Sequence, residues 1–235
     1  KQFLRLVISW SAKKVIFVSN SVKNLESFKG IEQEVIYNAL PKEFEVVGKK
    51  QIHPWKFDEV FNVLMISSLK SYKGINEFRS LAKSFESSSK INFTLVLNAN
   101  KDETENYFSG SKLPTNIELV TSQVNVIKYY QKSNLVLNLS KVDECIETFG
   151  LTILEAMAFG IPVIVPPIGG PAEIVTNGIE GYLISSYEIN SIAEKIKELS
   201  LNKVKWTELS KNALKRSKDF NEIIFNKKII KILNA

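Results

Sequence analysis

Strand-length apolar runs and helix-length amphipathic stretches take turns along most of this chain, and that alternation limits its fold more than any other feature. The β-branched, apolar runs fall at residues 15–18, 34–37, 61–66, 92–97, 117–120, 135–139 and 162–165. Helical patterns separate them at 22–28, 75–85, 124–132 and 151–159. Such βαβα alternation predicts an α/β fold, a parallel sheet with helices on both faces. The strands stop after Tyr182, and 187–199, 203–216 and 221–233 read as three consecutive helices with apolar residues three and four apart. Apolar residues make up 44% of the 235, enough for a sizeable core and too many for a disordered chain.

A boundary falls near residues 43–57. There Gly48, two adjacent lysines and the run His53-Pro54-Trp55 show no consistent period, and proline drives the residue before it out of the helical region. The stretch reads as a connector. Ahead of it stand only two strands and two helices, too few to fold alone. One complete α/β domain is expected, flanked by basic pieces that pack on a neighbour. The chain starts at Lys1 with neither a methionine nor a signal-peptide pattern and reads as part of something longer.

Charge and rare residues exclude several functions. Lys1, Arg5, Lys13 and Lys14 have no acidic companion within residues 1–14, and eleven Lys/Arg face five Asp/Glu from Glu194 onward. Basic ends of this kind are usually solvated helix faces. The second reading is a peripheral contact with an anionic membrane surface. No basic and aromatic stacking strand suggests nucleic acid. A single cysteine, Cys145, rules out a disulfide framework and suits a reducing, cytoplasmic compartment. With one histidine, His53, and no Asp-x-Asp, no metal is expected. No apolar run approaches the ~18 residues that span a bilayer.

The densest chemical signal is Glu147-Thr148-Phe149-Gly150-Leu151-Thr152-Ile153-Leu154-Glu155, placed after a strand and a polar loop and opening a helix. A helix starting at Thr148 or Gly150 leaves the amides of Gly150, Leu151 and Thr152 without intrahelical partners, which makes an anion site suited to phosphate. In a parallel sheet this loop lies at the carboxyl ends of the strands, where ligands bind. Two carboxylates beside a phosphate repel it, so hydroxyls are their natural partners, and a diphosphate with a sugar at each end satisfies both. A capping charge at Glu147 and a solvated Glu155 explain the bare spacing equally well.

Together with Ala156-Met157-Ala158-Phe159-Gly160-Ile161-Pro162, this block closely resembles the signature of family-4 glycosyltransferases, retaining enzymes of the GT-B fold that use nucleotide-sugar donors. Gly169-Gly170-Pro171-Ala172-Glu173, Asn177-Gly178 through Leu183, Val18-Ser19-Asn20, Asn38-Ala39-Leu40 and Leu69 to Gly74 resemble further family elements in the same order. The resemblance implies a Rossmann-like, C-terminal half of a GT-B fold. Residues 1–42 are then a remnant of the acceptor domain, 43–57 the connector, 58–200 the donor-binding domain, and 201–235 helices that cross back. It implies that Glu147 bonds the hydroxyls of the transferred sugar and Glu155 those of the ribose. Amides at Phe149, Gly150 and Leu151, with Thr148 beside them, would cradle the diphosphate. Lys73 would neutralise the leaving phosphate, Ser68 would stand beside it in the donor site, and Thr121 and Val126 would seat the base. The implied partners are a nucleotide-sugar donor and a glycan or lipid-linked acceptor held by the missing domain. No cofactor is implied.

Two pairs of residues depart from the family pattern. Ser67 and Ser68 stand where a Gly-Arg pair is common, so the arginine on the phosphates is absent; Lys70, if it takes that place, would supply charge but no bidentate fork. Asn98 and Asn100 stand at the usual glycine pair. Cys145 has no histidine partner and is expected to be inert. His53, Trp55 and Trp206 are expected in packing or at a domain seam, and the apolar face of Phe3, Leu6 and Trp10 fits an interfacial helix or a packing face. The alternatives are a nucleotide-sugar binding module without turnover and a GT-B-like epimerase. A dinucleotide dehydrogenase is more distant, for want of Gly-x-Gly-x-x-Gly after the first strand.

Overall fold

A computed structural model describes residues 2–50, 59–122 and 125–234. Its elements run α1 (Gln2–Ser11), β1 (Lys14–Phe17), α2 (Asn20–Glu26), β2 (Glu32–Val35), α3 (Lys42–Lys50), β3 (Phe61–Ser68), α4 (Ile75–Ser84), β4 (Ile91–Asn98), α5 (Lys101–Tyr107) and β5 (Ile117–Thr121). There follow α6 (Ile127–Tyr130), β6 (Leu135–Leu137), α7 (Leu151–Ala158), β7 (Val163–Val165), α8 (Pro171–Ile174), β8 (Gly181–Leu183), α9 (Ile189–Leu201), α10 (Lys203–Ser217) and α11 (Glu222–Leu233).

Six strands form one parallel sheet in the order β5-β4-β3-β6-β7-β8. Successive strand residues point to opposite faces, so each strand feeds two cores. Val63, Met65, Leu135, Leu137 and Ile164 join α4, α9 and the start of α10 on one side. Leu64, Val136, Val163 and Val165 join α7, Tyr130 and Ala213 on the other. Burial on both faces is why these strands are almost wholly apolar. From β3 the chain moves outward through β4 and β5, then returns to add β6 on the opposite side of β3. The strand order therefore reverses between β3 and β6, and a crevice opens at their carboxyl ends.

The N-terminal segment is a smaller structure. β1 and β2 pair in parallel, with Lys14 opposite Glu32 and Phe17 opposite Val35. Helix α2 begins at Ser19, whose hydroxyl accepts from the Val22 amide at 3.2 Å.

Several elements differ from the sequence reading. The stretch read as an irregular connector begins as helix α3, because Phe44 docks into the core against Tyr130 and Phe159, and buried Gly48 lets the helix meet the Ala158 carbonyl. His53, Pro54, Trp55 and the rest of 51–58 lie outside the described residues, as does Val124. Strand β2 starts two residues earlier than expected. Helix α5 has no apolar stripe and forms on a capping box, Asn100 and Glu103 each bonding the other's backbone amide. Trp206, as expected of a packing residue, lies in the core, its indole N–H donating to the Asn134 carbonyl at 2.7 Å. Thus α10 packs into the sheet's own core. No helix of the described residues is long and apolar enough to cross a membrane.

Candidate functional site

The crevice at the sheet's switch point is a cavity of about 310 Å³. Its floor is the end of β3, Met65 to Ser68, and the end of β6, Leu137 to Ser140; its wall is the run from Glu147 to Thr152. Helix α7 enters this wall by its N-terminus. Gly150 sits at φ 96° as the residue before the helix, a conformation that side chains other than glycine rarely adopt. The first intrahelical bonds run from the Ile153 and Leu154 amides to the Gly150 carbonyl, so the amides of Gly150, Leu151 and Thr152 precede the ladder. Unpaired donors and the positive end of the helix dipole thus meet at the cavity.

Lys73 reaches the same cavity from the turn before α4. Gly74, at φ 78°, makes this approach: a β-carbon there would stand 2.2 Å from the Leu139 carbonyl oxygen. The Lys73 ammonium donates to Glu147 Oε2 at 2.5 Å, and Ser140 Oγ lies 3.4 Å from the same oxygen. About a fifth of each side chain in the pair is exposed (21% and 19%), so the charges neutralise one another at the rim of the crevice. Two glycines hold the Glu147 backbone from behind, and a β-carbon on the first, Gly169, would stand 2.8 Å from the Glu147 carbonyl oxygen. The Gly170 amide donates to the Glu147 carbonyl at 2.8 Å, and a β-carbon at Gly170 would fall 2.3 Å from Phe149 Cα. Only a bare backbone fits there.

Glu155 does not line the cavity. One turn further along α7, it accepts a hydrogen bond at 2.7 Å from the hydroxyl of Tyr130, a side chain 1% exposed. Burial pushes the Glu155 carboxyl above its ordinary range; the Tyr130 bond opposes this, and the nearby Glu43 adds to it. The Tyr130 phenol is raised well above its ordinary value by burial and by Glu155.

Of the residues expected in the site, Ser68, Lys73, Glu147, Thr148, Phe149, Gly150 and Leu151 converge on the one cavity. Phe149 contributes backbone there, its ring being buried against Tyr37 and Phe220. Thr121 lines a separate groove beside Thr104 and Phe108, and Val126 packs against the second core at the start of α6. Lys70 is exposed and outside the cavity lining, so Lys73 is its one cation among the described residues. Sequence reasoning did not place Asn38, Asn138 or Ser140 in the site. Asn138 and Ser140 follow the end of β6, which is a legible signal, while Asn38 arrives from the N-terminal segment and has none.

A second carboxylate ties that segment to the site. Glu173, in α8, accepts from the Asn20 and Ser21 amides at 2.9 and 2.7 Å. The Asn20 amide group, the Ser21 hydroxyl and the Tyr37 hydroxyl also donate to it, at 2.9, 2.7 and 3.0 Å. Burial opposes ionisation of Glu173, but the bonds from Ser21 and Asn20 outweigh it and lower its pKa. Ser19 completes the joint, its hydroxyl donating to the Thr148 carbonyl at 2.6 Å. Among the described residues no cluster of His, Cys, Asp and Glu could hold a metal ion.

Residues 49–216 match the profile of the family described as glycosyl transferases group 1. The chain is 35% identical over 91 residues to a sucrose synthase of Melioribacter roseus, the match covering 37% of this chain and 12% of that one. It is 37% identical over 76 residues to sucrose-phosphate synthase 4 of Arabidopsis thaliana, covering 32% and 7%. The chain therefore spans only a small part of these relatives. Its fold is similar to that of Anabaena HepE, solved in complex with UDP and glucose, with a TM-score of 0.79 and 21% identity over 99% of this chain and 66% of that one. TarM gives a TM-score of 0.76 and 20% identity over 100% of this chain and 46% of its own.

Proposed function

The chain belongs to the glycosyl transferases group 1 family, and on that premise we propose that its crevice binds a nucleoside-diphosphate sugar, the donor of a retaining hexosyl transfer. The observation that carries this reading is the convergence of three features in one cavity: the open N-terminus of α7, the Lys73 ammonium and the Glu147 carboxylate. Helix amides and a cation receive a diphosphate, and a carboxylate beside them receives sugar hydroxyls. Without a donor, Lys73 and Glu147 satisfy each other. An arriving diphosphate competes for Lys73 and frees Glu147 for the sugar. As the bond between the sugar and the diphosphate breaks, negative charge grows on the leaving phosphate, where Lys73 and the amides of 150–152 stand ready-oriented. Glu155, outside the cavity lining, is assigned the ribose hydroxyls.

UDP is the nucleotide to test first, because the similar HepE is solved with UDP-glucose as well as with UDP. The acceptor, a glycan or lipid-linked saccharide of polysaccharide or glycoconjugate synthesis, is assigned to a part of the protein beyond this chain, which spans 66% of HepE and 46% of TarM. The same coverage favours, for the chain by itself, donor binding without turnover. We place the protein in the cytoplasm on its single cysteine.

Titration calorimetry with UDP and UDP-glucose tests the division of labour. Glu155→Gln weakens both ligands, by about 1–3 kcal/mol for a lost charged hydrogen bond. Glu147→Gln weakens UDP-glucose alone, and leaves UDP unchanged or tighter because Lys73 loses its competitor. Equal penalties for both ligands in both variants refute the assignment.

A further inference from the structure

Tyr130 is among the most enclosed polar side chains of the molecule, and its hydroxyl is aimed at the functional carboxylate of α7. Its ring stacks on Phe159 with centroids 5.7 Å apart and planes 15° from parallel, and meets Phe44 edge-on at 6.0 Å. Packing therefore fixes the phenol in place. Two acceptors stand within reach of its single proton, Glu155 Oε2 at 2.7 Å and the Thr152 carbonyl at 3.2 Å. The carboxylate is the nearer and the stronger acceptor.

We propose that Tyr130 is a positioning residue for donor binding: its phenol holds one oxygen of Glu155, fixing the carboxylate so that the other oxygen faces the ribose hydroxyls. The inference rests on the assignment of Glu155 to the ribose. A tyrosine that merely fills the core has no need of this carboxylate, since the Thr152 carbonyl already offers its hydroxyl a partner.

Burial is the main cause that pushes the Glu155 carboxyl up, and the same bond opposes it. Tyr130 from α6 favours the ionised form, and Glu43 from α3 disfavours it by like charge. Among the described residues the other elements packed on α7 bury no charge: β6 is Leu-Val-Leu, β7 is Val-Ile-Val, and the buried residues of α10 are Trp206, Leu209, Ser210, Ala213 and Ser217. Ribose hydroxyls need the ionised carboxylate as acceptor. Nucleotide affinity must then fall as pH drops through the Glu155 pKa, and the two neighbours must move that limb in opposite directions.

The experiment compares UDP with inorganic pyrophosphate, which lacks the ribose, across a pH series on the 235-residue chain. Tyr130→Phe keeps the ring and removes the bond. Affinity for UDP is expected to fall about fivefold or more, with the acid limb at higher pH, while pyrophosphate binding stays constant. Glu43→Gln, at an exposed position, is expected to move the limb to lower pH. In a Glu155→Gln background, Tyr130→Phe should have no further effect on UDP. Equal losses for UDP and pyrophosphate, or an undiminished effect in the Glu155→Gln background, reduce Tyr130 to a structural residue and overturn the proposal. If Glu155→Gln weakens UDP but Tyr130→Phe leaves affinity and acid limb in place, positioning alone fails. If Glu155→Gln itself leaves UDP affinity unchanged, the ribose assignment fails and takes this inference with it.

Discussion

Phe78 in α4 and Ser19 ahead of α2 are equally enclosed, both fully buried, yet different forces hold them. Phe78 meets Phe93 edge-on at 5.4 Å inside a continuous apolar core. Ser19 is buried at a joint of hydrogen bonds, where the N-terminal segment rests on Glu173 and on the Thr148 carbonyl. The sheet excludes water over two faces and needs no particular charge. The segment has a two-stranded sheet, too small for a core of its own, and it reaches the second apolar cluster through Leu40 and Phe44, with Val18 and Tyr37 partly buried against it. Its apolar exterior includes Phe3, Leu6 and Trp10. Polar attachment makes the segment the more easily released part. It also fastens the segment to the backbone that shapes the anion site.

Four changes separate the two modes of attachment. The largest effect is expected from Phe78→Ala, which should cost about 3–5 kcal/mol of global stability in denaturant unfolding. A loss below ~1 kcal/mol would mean the sheet core relaxes around the cavity. Glu173→Ala comes next, because it strands several donors at once. Hydrogen exchange at Asn20 and Ser21 should then report about 2–3 kcal/mol less protection, with the strands β3 and β4 unchanged. Uniform loss across both regions would show that segment and sheet unfold as one unit. Acid should reproduce this change reversibly. The Glu173 pKa is depressed in the folded chain, so its contribution is full above the ordinary value of 4.5 and disappears as pH falls through the folded one. The segment's amides should lose protection in that window before those of the sheet. Ser19→Ala is the smallest change, about 1 kcal/mol for a lost cap, again confined to the segment by hydrogen exchange.

Legibility in the sequence follows the same division. Strands β3, β4, β6 and β7 were visible because burial on both faces demands apolar runs, and such runs are local. Strand β8 is no longer than β6 or β7, but Gly181-Tyr182-Leu183 begins with glycine and has no β-branched residue, so it shows no apolar run; a β-carbon at Gly181 would lie 1.9 Å from the Val163 carbonyl oxygen, and what marks the strand is contact with β7. Helix α5 carried a capping box in plain view, but a search for apolar spacing passes over a helix this polar. In the site, the run from Glu147 to Glu155 was readable because its spacing lies within one loop and one helix. Tyr130 was not, since an aromatic residue in an apolar stretch looks like any other until its hydroxyl is seen to point at Glu155.

By itself the sequence determined the α/β alternation, the apolar strands and the glycine-bearing start of α7, all set by neighbours within a few residues. Only the tertiary structure decided which polar and charged groups meet. Lys73 and Glu147 lie 74 residues apart and Ser21 and Glu173 lie 152 apart, and each pair is joined by a 2.5–2.7 Å bond. Periodicity records which face of an element is buried, because water acts on each residue locally. Pairing across such distances leaves no local trace, because it depends on the strand order that carries β6 back beside β3 and on the glycines that let the loops close.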